Sequence, residues 1–235
     1  MKLQEIAGTA SHFDSAAALS PRRDFRPRAA DDTIPAAKLV LDKLGAAVAL
    51  VLFAPVMALI ALLILATERG PVLYGHTRVG AGGRSFRCLK FRTMRTDSQE
   101  TLDEILLTDP IAREEWRTSF KFDRDPRVTR LGDFLRRSSL DELPQIWNVL
   151  RGDMSLVGPR PITAKEAPMY GPHFAAYLSV RPGVTGLWQV SGRSDTTYDE
   201  RVALDLAYVD SAGLWQDLGI ICRTATAVLL RRGAV

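Results

Sequence analysis

Apolar and polar residues follow several distinct rhythms along this chain. Residues 45–66 carry no charge and consist almost entirely of Ala, Val, Leu, Ile, Phe and Met. At about 1.5 Å of rise per residue, that run makes a helix long enough to match a hydrocarbon core roughly 30 Å thick. Pro55, near its midpoint, removes a backbone donor, leaves the Val51 carbonyl without its helical partner and bends the helix. The run is too long, and starts too far from Met1, for a signal peptide. Two arrangements satisfy the pattern: a kinked helix that spans the bilayer, or a re-entrant helix that enters, breaks at Ala54-Pro55 and returns.

Shorter rhythms follow. Residues 71–94 predict a β-hairpin, with Val72-Leu73-Tyr74 and Phe86-Arg87-Cys88-Leu89 flanking a Gly80-Ala81-Gly82-Gly83 turn. Residues 102–120 predict one or two surface helices interrupted near Pro110, and 128–137 a short helix. A helix over 141–151 should stop at Gly152, with further helices over 199–208 and 214–232. Prolines and glycines divide 159–192 into loops and short helices. The last helix is apolar with Arg223, Arg231 and Arg232, which suits either a membrane surface or the core. Residues 1–35 lack a sustained apolar period and predict a disordered basic tail. The expected class is α+β, mostly helical with a small β-hairpin, an N-terminal membrane helix over 36–70 and surface amphipathic helices on a globular domain over 71–235.

The formal net charge of the 235 residues is only +4, but its excess is uneven. Arg22, Arg23, Arg26 and Arg28 precede the apolar run, and Arg78, Arg84, Arg87, Lys90, Arg92 and Arg95 follow it. Both flanks being basic, the positive-inside rule prefers both ends in the cytoplasm, which the re-entrant arrangement satisfies. Such charge suits anionic lipid headgroups or a phosphorylated substrate, or simply a solvated face. Cys88 and Cys222 lie far apart in no metal-binding pattern, so no disulfide framework is expected. His12, His76 and His173 are equally scattered, which excludes a zinc site or a His-centred triad. Nothing beyond the net charge points to nucleic acid.

The candidate chemistry centres on Arg136-Arg137-Ser138-Ser139-Leu140-Asp141-Glu142-Leu143-Pro144-Gln145. Ser139 and Glu142 have the spacing of a helix capping box, and Asp141 is the alternative cap. Either way a helix N-terminus would keep Asp141 ionised, as a nucleophile or magnesium ligand must be. Arg136 is placed to neutralise a phosphoryl group or merely to pair at the surface. Gly158 and Arg160 each precede a proline, so Arg160 sits on a stiff extended frame suited to bidentate phosphate binding. Lys90 and Arg92, as alternate strand residues, should share a face. Arg181 through Arg193 is a second dense run of rigid and small residues, which either shapes a pocket or buries Trp188.

These blocks together resemble the bacterial monotopic phosphoglycosyl transferases, which are polyprenyl-phosphate sugar-1-phosphate transferases. The matching runs are the apolar segment with its central proline, Lys90-Phe91-Arg92-Thr93-Met94, Asp125-Pro126-Arg127-Val128-Thr129, the Asp141 run, residues 148–161 and Arg181-Pro182-Gly183-Val184-Thr185-Gly186. The resemblance runs in order from about residue 36 onward and is nearest to the short members that start exopolysaccharide synthesis with galactose or glucose. It implies a UDP-sugar donor, a polyprenyl phosphate acceptor such as undecaprenyl phosphate, and UMP as product. Asp141 would be the nucleophile and form a phosphosugar adduct, Glu142 would help Asp141 hold Mg²⁺, and Arg136 and Arg160 would bind phosphates. Lys90 and Arg92 match a basic family motif. The resemblance further implies a catalytic domain over 71–235 facing the cytoplasm at the bacterial inner membrane, with self-association left open. The family breaks its re-entrant helix at a Ser-Pro pair; here the pair is Ala54-Pro55, and because proline causes the kink the resemblance implies a re-entrant membrane helix hairpin over 36–70. A non-catalytic membrane adaptor and a metal-dependent phosphohydrolase are the competing readings.

Overall fold

The computed structural model describes residues 36–119, 122, 124–191 and 196–229. The expected tail over 1–35 lies outside them, as do Arg193, Arg231 and Arg232. The apolar run forms helix α1, Ala36–Thr67, with Pro55 inside it. The helix is not divided into two at Ala54-Pro55: proline forfeits one hydrogen bond, and a strongly apolar segment with no competing turn residues stays helical through that loss. Asp42, Ala46, Ile60 and Ile64 are buried, at multiples of four residues apart plus one wider gap. Across that gap, residues 51–56 are exposed without exception. The helix therefore rests on the rest of the molecule at both ends and leaves its middle uncovered.

The hairpin forms as the turn chemistry requires. Strands β1, Leu73–Val79, and β2, Ser85–Phe91, pair antiparallel in a register that sets Tyr74 opposite Lys90 and His76 opposite Cys88. Helices α2, Ser98–Thr108, and α3, Pro110–Ser119, are separated at Asp109-Pro110. Helix α4, Arg130–Arg137, is capped by the Thr129 hydroxyl, which accepts from the Gly132 N–H. Helix α5, Gln145–Arg151, ends where Gly152 adopts a left-handed conformation at φ 87°. Local patterning gave no sign of β3, Ser155–Val157, or β4, Gly183–Thr185, which pair in parallel. Short helices α6, Phe174–Leu178, and α7, Leu187–Ser191, precede α8, Tyr198–Ser211, and α9, Leu214–Leu229.

Two apolar clusters hold α1 to the domain. One joins Ala46 to Phe86, Cys88, Ile146, Val149 and Met154; the other joins Ile60 and Ile64 to Phe91 and Leu135. Polar contacts reinforce the first. The buried Asp42 accepts from the Ser155 hydroxyl at 3.0 Å and the Leu156 N–H at 2.9 Å. Lys38 reaches Asp217 of α9 at 2.6 Å, and Tyr208 of α8 donates to the other Asp217 oxygen at 2.8 Å. Helix α9 is amphipathic in use: Asp217 and Ile220 are buried, while Leu214, Trp215 and Leu218 are exposed. Among the described residues both cysteines are free thiols.

Candidate active site

The Asp141 segment departs from the expected cap. Ser139 takes a left-handed backbone at φ 56° and makes no capping hydrogen bond. Leu140–Glu142 form a single 3-10 turn ahead of Pro144, and α5 begins only at Gln145. The capping box fails because Glu142 is engaged elsewhere: Lys90, brought across by β2, donates to its Oε1 at 2.7 Å. The same ammonium lies 3.5 Å from Asp141 Oδ2. One lysine thus bridges two adjacent carboxylates that would otherwise repel.

Asp141 is 6% exposed. Burial is the strongest influence on it and raises its carboxyl above the usual range; Lys90 and Arg136 oppose that, while Glu142 adds to it. Desolvation, rather than a helix N-terminus, therefore sets its protonation. Arg136 stands on α4 with its Nε donating to Thr93 Oγ1 at 2.9 Å, which aims the guanidinium from the segment following β2. Sequence reasoning missed Thr93 as a positioning group; its place in the Lys90-Phe91-Arg92-Thr93-Met94 run was the signal.

Arg160 stands apart from these contacts, against Trp188 and near Asp205. Its guanidinium lies 5.2 Å from the centre of the Trp188 ring, and Arg201 lies at the same distance from that ring. Trp188 is thereby accounted for as a platform for cations. Arg201 also pairs with Glu166, as does Arg78. Asp205, buried among Tyr170, Arg201 and Arg160, has its carboxyl pushed up to about 6, burial being the main cause. Burial likewise pushes up the Cys88 thiol, against the opposing effect of Lys90 and Arg78.

Arg92 parts from Lys90. Its Nη1 donates to the Arg69 carbonyl at 2.8 Å, and Glu68 lies 3.7 Å from Nη2, so it faces the end of α1. Arg127 is bound bidentately by Asp125 and covered by Trp116 and Phe122, which makes the Asp125-Pro126-Arg127 run a structural clamp. Among the described residues no three His, Cys, Asp or Glu side chains gather as a metal cage. Two carboxylates on one turn nevertheless fit Mg²⁺, which is commonly held by one or two carboxylates with substrate phosphates and water.

A helix long and apolar enough to cross a membrane, two adjacent carboxylates and the cations Lys90 and Arg136 beside them are the features this site presents. A family model described as bacterial sugar transferase matches residues 34–231, and the chain belongs to that family. It is 50% identical over 198 residues to the exopolysaccharide production protein ExoY of Rhizobium meliloti, covering 84% of this chain and 88% of that protein. It is 48% identical to a UDP-galactose-lipid carrier transferase of Erwinia amylovora, over 84% of this chain but only 41% of the relative. A UDP-glucose:undecaprenyl-phosphate glucose-1-phosphate transferase of Caulobacter vibrioides is 42% identical, with 82% and 69% covered. The chain thus spans less than half the length of some relatives and most of others.

Proposed function

We propose that the chain transfers galactose- or glucose-1-phosphate from a UDP-sugar to undecaprenyl phosphate, releasing UMP, as the first membrane step of exopolysaccharide synthesis. The observation that carries this reading is the meeting of Asp141, Glu142, Lys90 and Arg136 at the foot of a membrane helix. The relatives from Erwinia and Caulobacter, a UDP-galactose-lipid carrier transferase and a UDP-glucose:undecaprenyl-phosphate glucose-1-phosphate transferase, support the donor and acceptor classes.

In the first half-reaction an Asp141 carboxylate oxygen attacks the sugar-linked phosphorus. The bond from that phosphorus to the bridging oxygen breaks, and UMP leaves with the electron pair. In the second, an acceptor phosphate oxygen attacks the same phosphorus and frees Asp141, which gives lipid diphosphate sugar. Splitting the transfer means that the hydrophilic donor and the lipid acceptor never need share the site. Lys90 keeps Asp141 ionised against its burial, and Arg136 and Arg160 hold phosphate oxygens, because phosphoryl transfer is mostly positioning and electrostatics. Asp141 and Glu142, with donor phosphates, would hold Mg²⁺, which when bound neutralises charge on the transferring group.

The location follows from α1. Both its ends rest on one globular domain, which supports a re-entrant insertion with that domain on the cytoplasmic face of the inner membrane. Incubation with UDP-galactose or UDP-glucose, Mg²⁺ and undecaprenyl phosphate should yield UMP and lipid-linked sugar phosphate. Free sugar phosphate instead would make it a hydrolase, and no product from either donor would return the adaptor reading.

A further inference from the structure

A cleft of about 600 Å³ opens beside the C-terminal end of α1. Neither Lys90, Asp141, Glu142, Arg136 nor Arg160 lines it. Its walls carry Arg69, Arg92, Arg95 and Arg130 against Glu68 and Asp97, a clear positive excess. Arg95 is spoken for, because Asp97 accepts from it at 2.9 and 2.6 Å. The guanidiniums of Arg69 and Arg130 have no hydrogen-bond or ion-pair partner among the described residues.

Arg92 is the unusual member. Its side chain is 7% exposed, yet its Nε and Nη2 have no hydrogen-bond partner. Glu68, whose Oε2 is likewise buried without a hydrogen-bond partner, lies 3.7 Å from Nη2 and neutralises charge at range without closing a bond; closing it would still leave Nε idle. Buried donors left idle cost free energy until some group meets them. The group that suits several guanidiniums together is a phosphate, whose oxygens accept bidentate bonds. The first turn of α4, at Thr129 and Arg130, faces the same cleft and adds the positive end of its dipole.

The surroundings indicate where the phosphate comes from. Leu62, Leu63 and Leu65 are exposed on α1, and Leu65 precedes Glu68 by less than one turn. An uncovered apolar surface thus leads directly into an arginine-lined cleft, which is the polarity step of a bilayer boundary. We propose that this cleft is a second phosphate-binding site, filled by the headgroup of an anionic lipid, separate from the phosphates handled at Asp141.

The test is thermal unfolding of the full chain in detergent micelles, titrated with short-chain phosphatidylglycerol or with inorganic phosphate. Phosphatidylglycerol should raise Tm, and the exposed double variant Arg69→Gln, Arg130→Gln should need about tenfold more of it for the same rise. Without lipid the variant should melt like the unmodified chain. An equal arginine-dependent rise with inorganic phosphate would keep the site but overturn the lipid as its source. A phosphatidylglycerol effect indifferent to both arginines would overturn the site.

Discussion

A carboxylate hidden from water beside a lysine is pulled two ways, burial raising its pKa and the ammonium lowering it, and Asp141 occupies that position. Asp141→Asn keeps the shape and removes the oxygen proposed as the nucleophile. UMP release should fall by on the order of 10³-fold or more, and the phosphosugar adduct should vanish from intact-protein mass spectra while thermal unfolding is little changed. Because burial raises the Asp141 pKa, the acidic limb of kcat/KM should lie at higher pH than an ordinary carboxylate would give. Lys90 acts in the opposite direction, so Lys90→Gln should move that limb to still higher pH. The variant's deficit should then shrink as pH rises; a uniform deficit at all pH values would show that Lys90 serves the substrate and not Asp141.

At the scale of elements, Gly132 sets how closely α4 approaches the segment after β2. A Cβ there would overlap the Thr93 carbonyl, and that approach lets Arg136, one turn later, reach the Thr93 hydroxyl. Gly132→Ala should therefore push α4 outward and lower turnover by roughly tenfold or more, given how steeply positioning errors cost rate. The same change should lower Tm, and the loss of activity should exceed the loss of folded protein measured by circular dichroism. The hairpin and the long helices were legible in the sequence because glycine turns and apolar periodicity are local signals. The β3–β4 pair was not, since three-residue strands owe their pairing to backbones that meet across Gly158 and Gly183, where any Cβ would collide. Asp141 and Glu142 stood out as a pair, yet their environment was misread as a helix cap. What decides it is Lys90, a contact between distant segments that no local pattern contains. Arg92 was grouped with Lys90 by strand alternation, but β2 ends at Phe91 and the chain turns Arg92 toward α1.

At the scale of the whole molecule, a helix of 32 residues is about 48 Å long, ample to cross a bilayer. Crossing would send its ends to opposite faces, whereas Lys38 and Ile64 both dock on one domain. In a Cys222→Ser background, Ala37→Cys and Thr96→Cys should both react with an impermeant maleimide in inside-out vesicles and neither in intact spheroplasts. Labelling of position 37 from outside would mean a spanning helix. The docking of Lys38 and Asp42 carries a further consequence for how the protein is made. Their partners, Ser155, Leu156 and Asp217, emerge from the ribosome more than a hundred residues later. Until then Lys38 and Asp42, opposite charges one turn apart, have only each other, and charged groups resist burial in hydrocarbon. If α1 inserts as proposed, its final seating waits for Asp217 to be translated, so that membrane integration completes together with folding instead of preceding it.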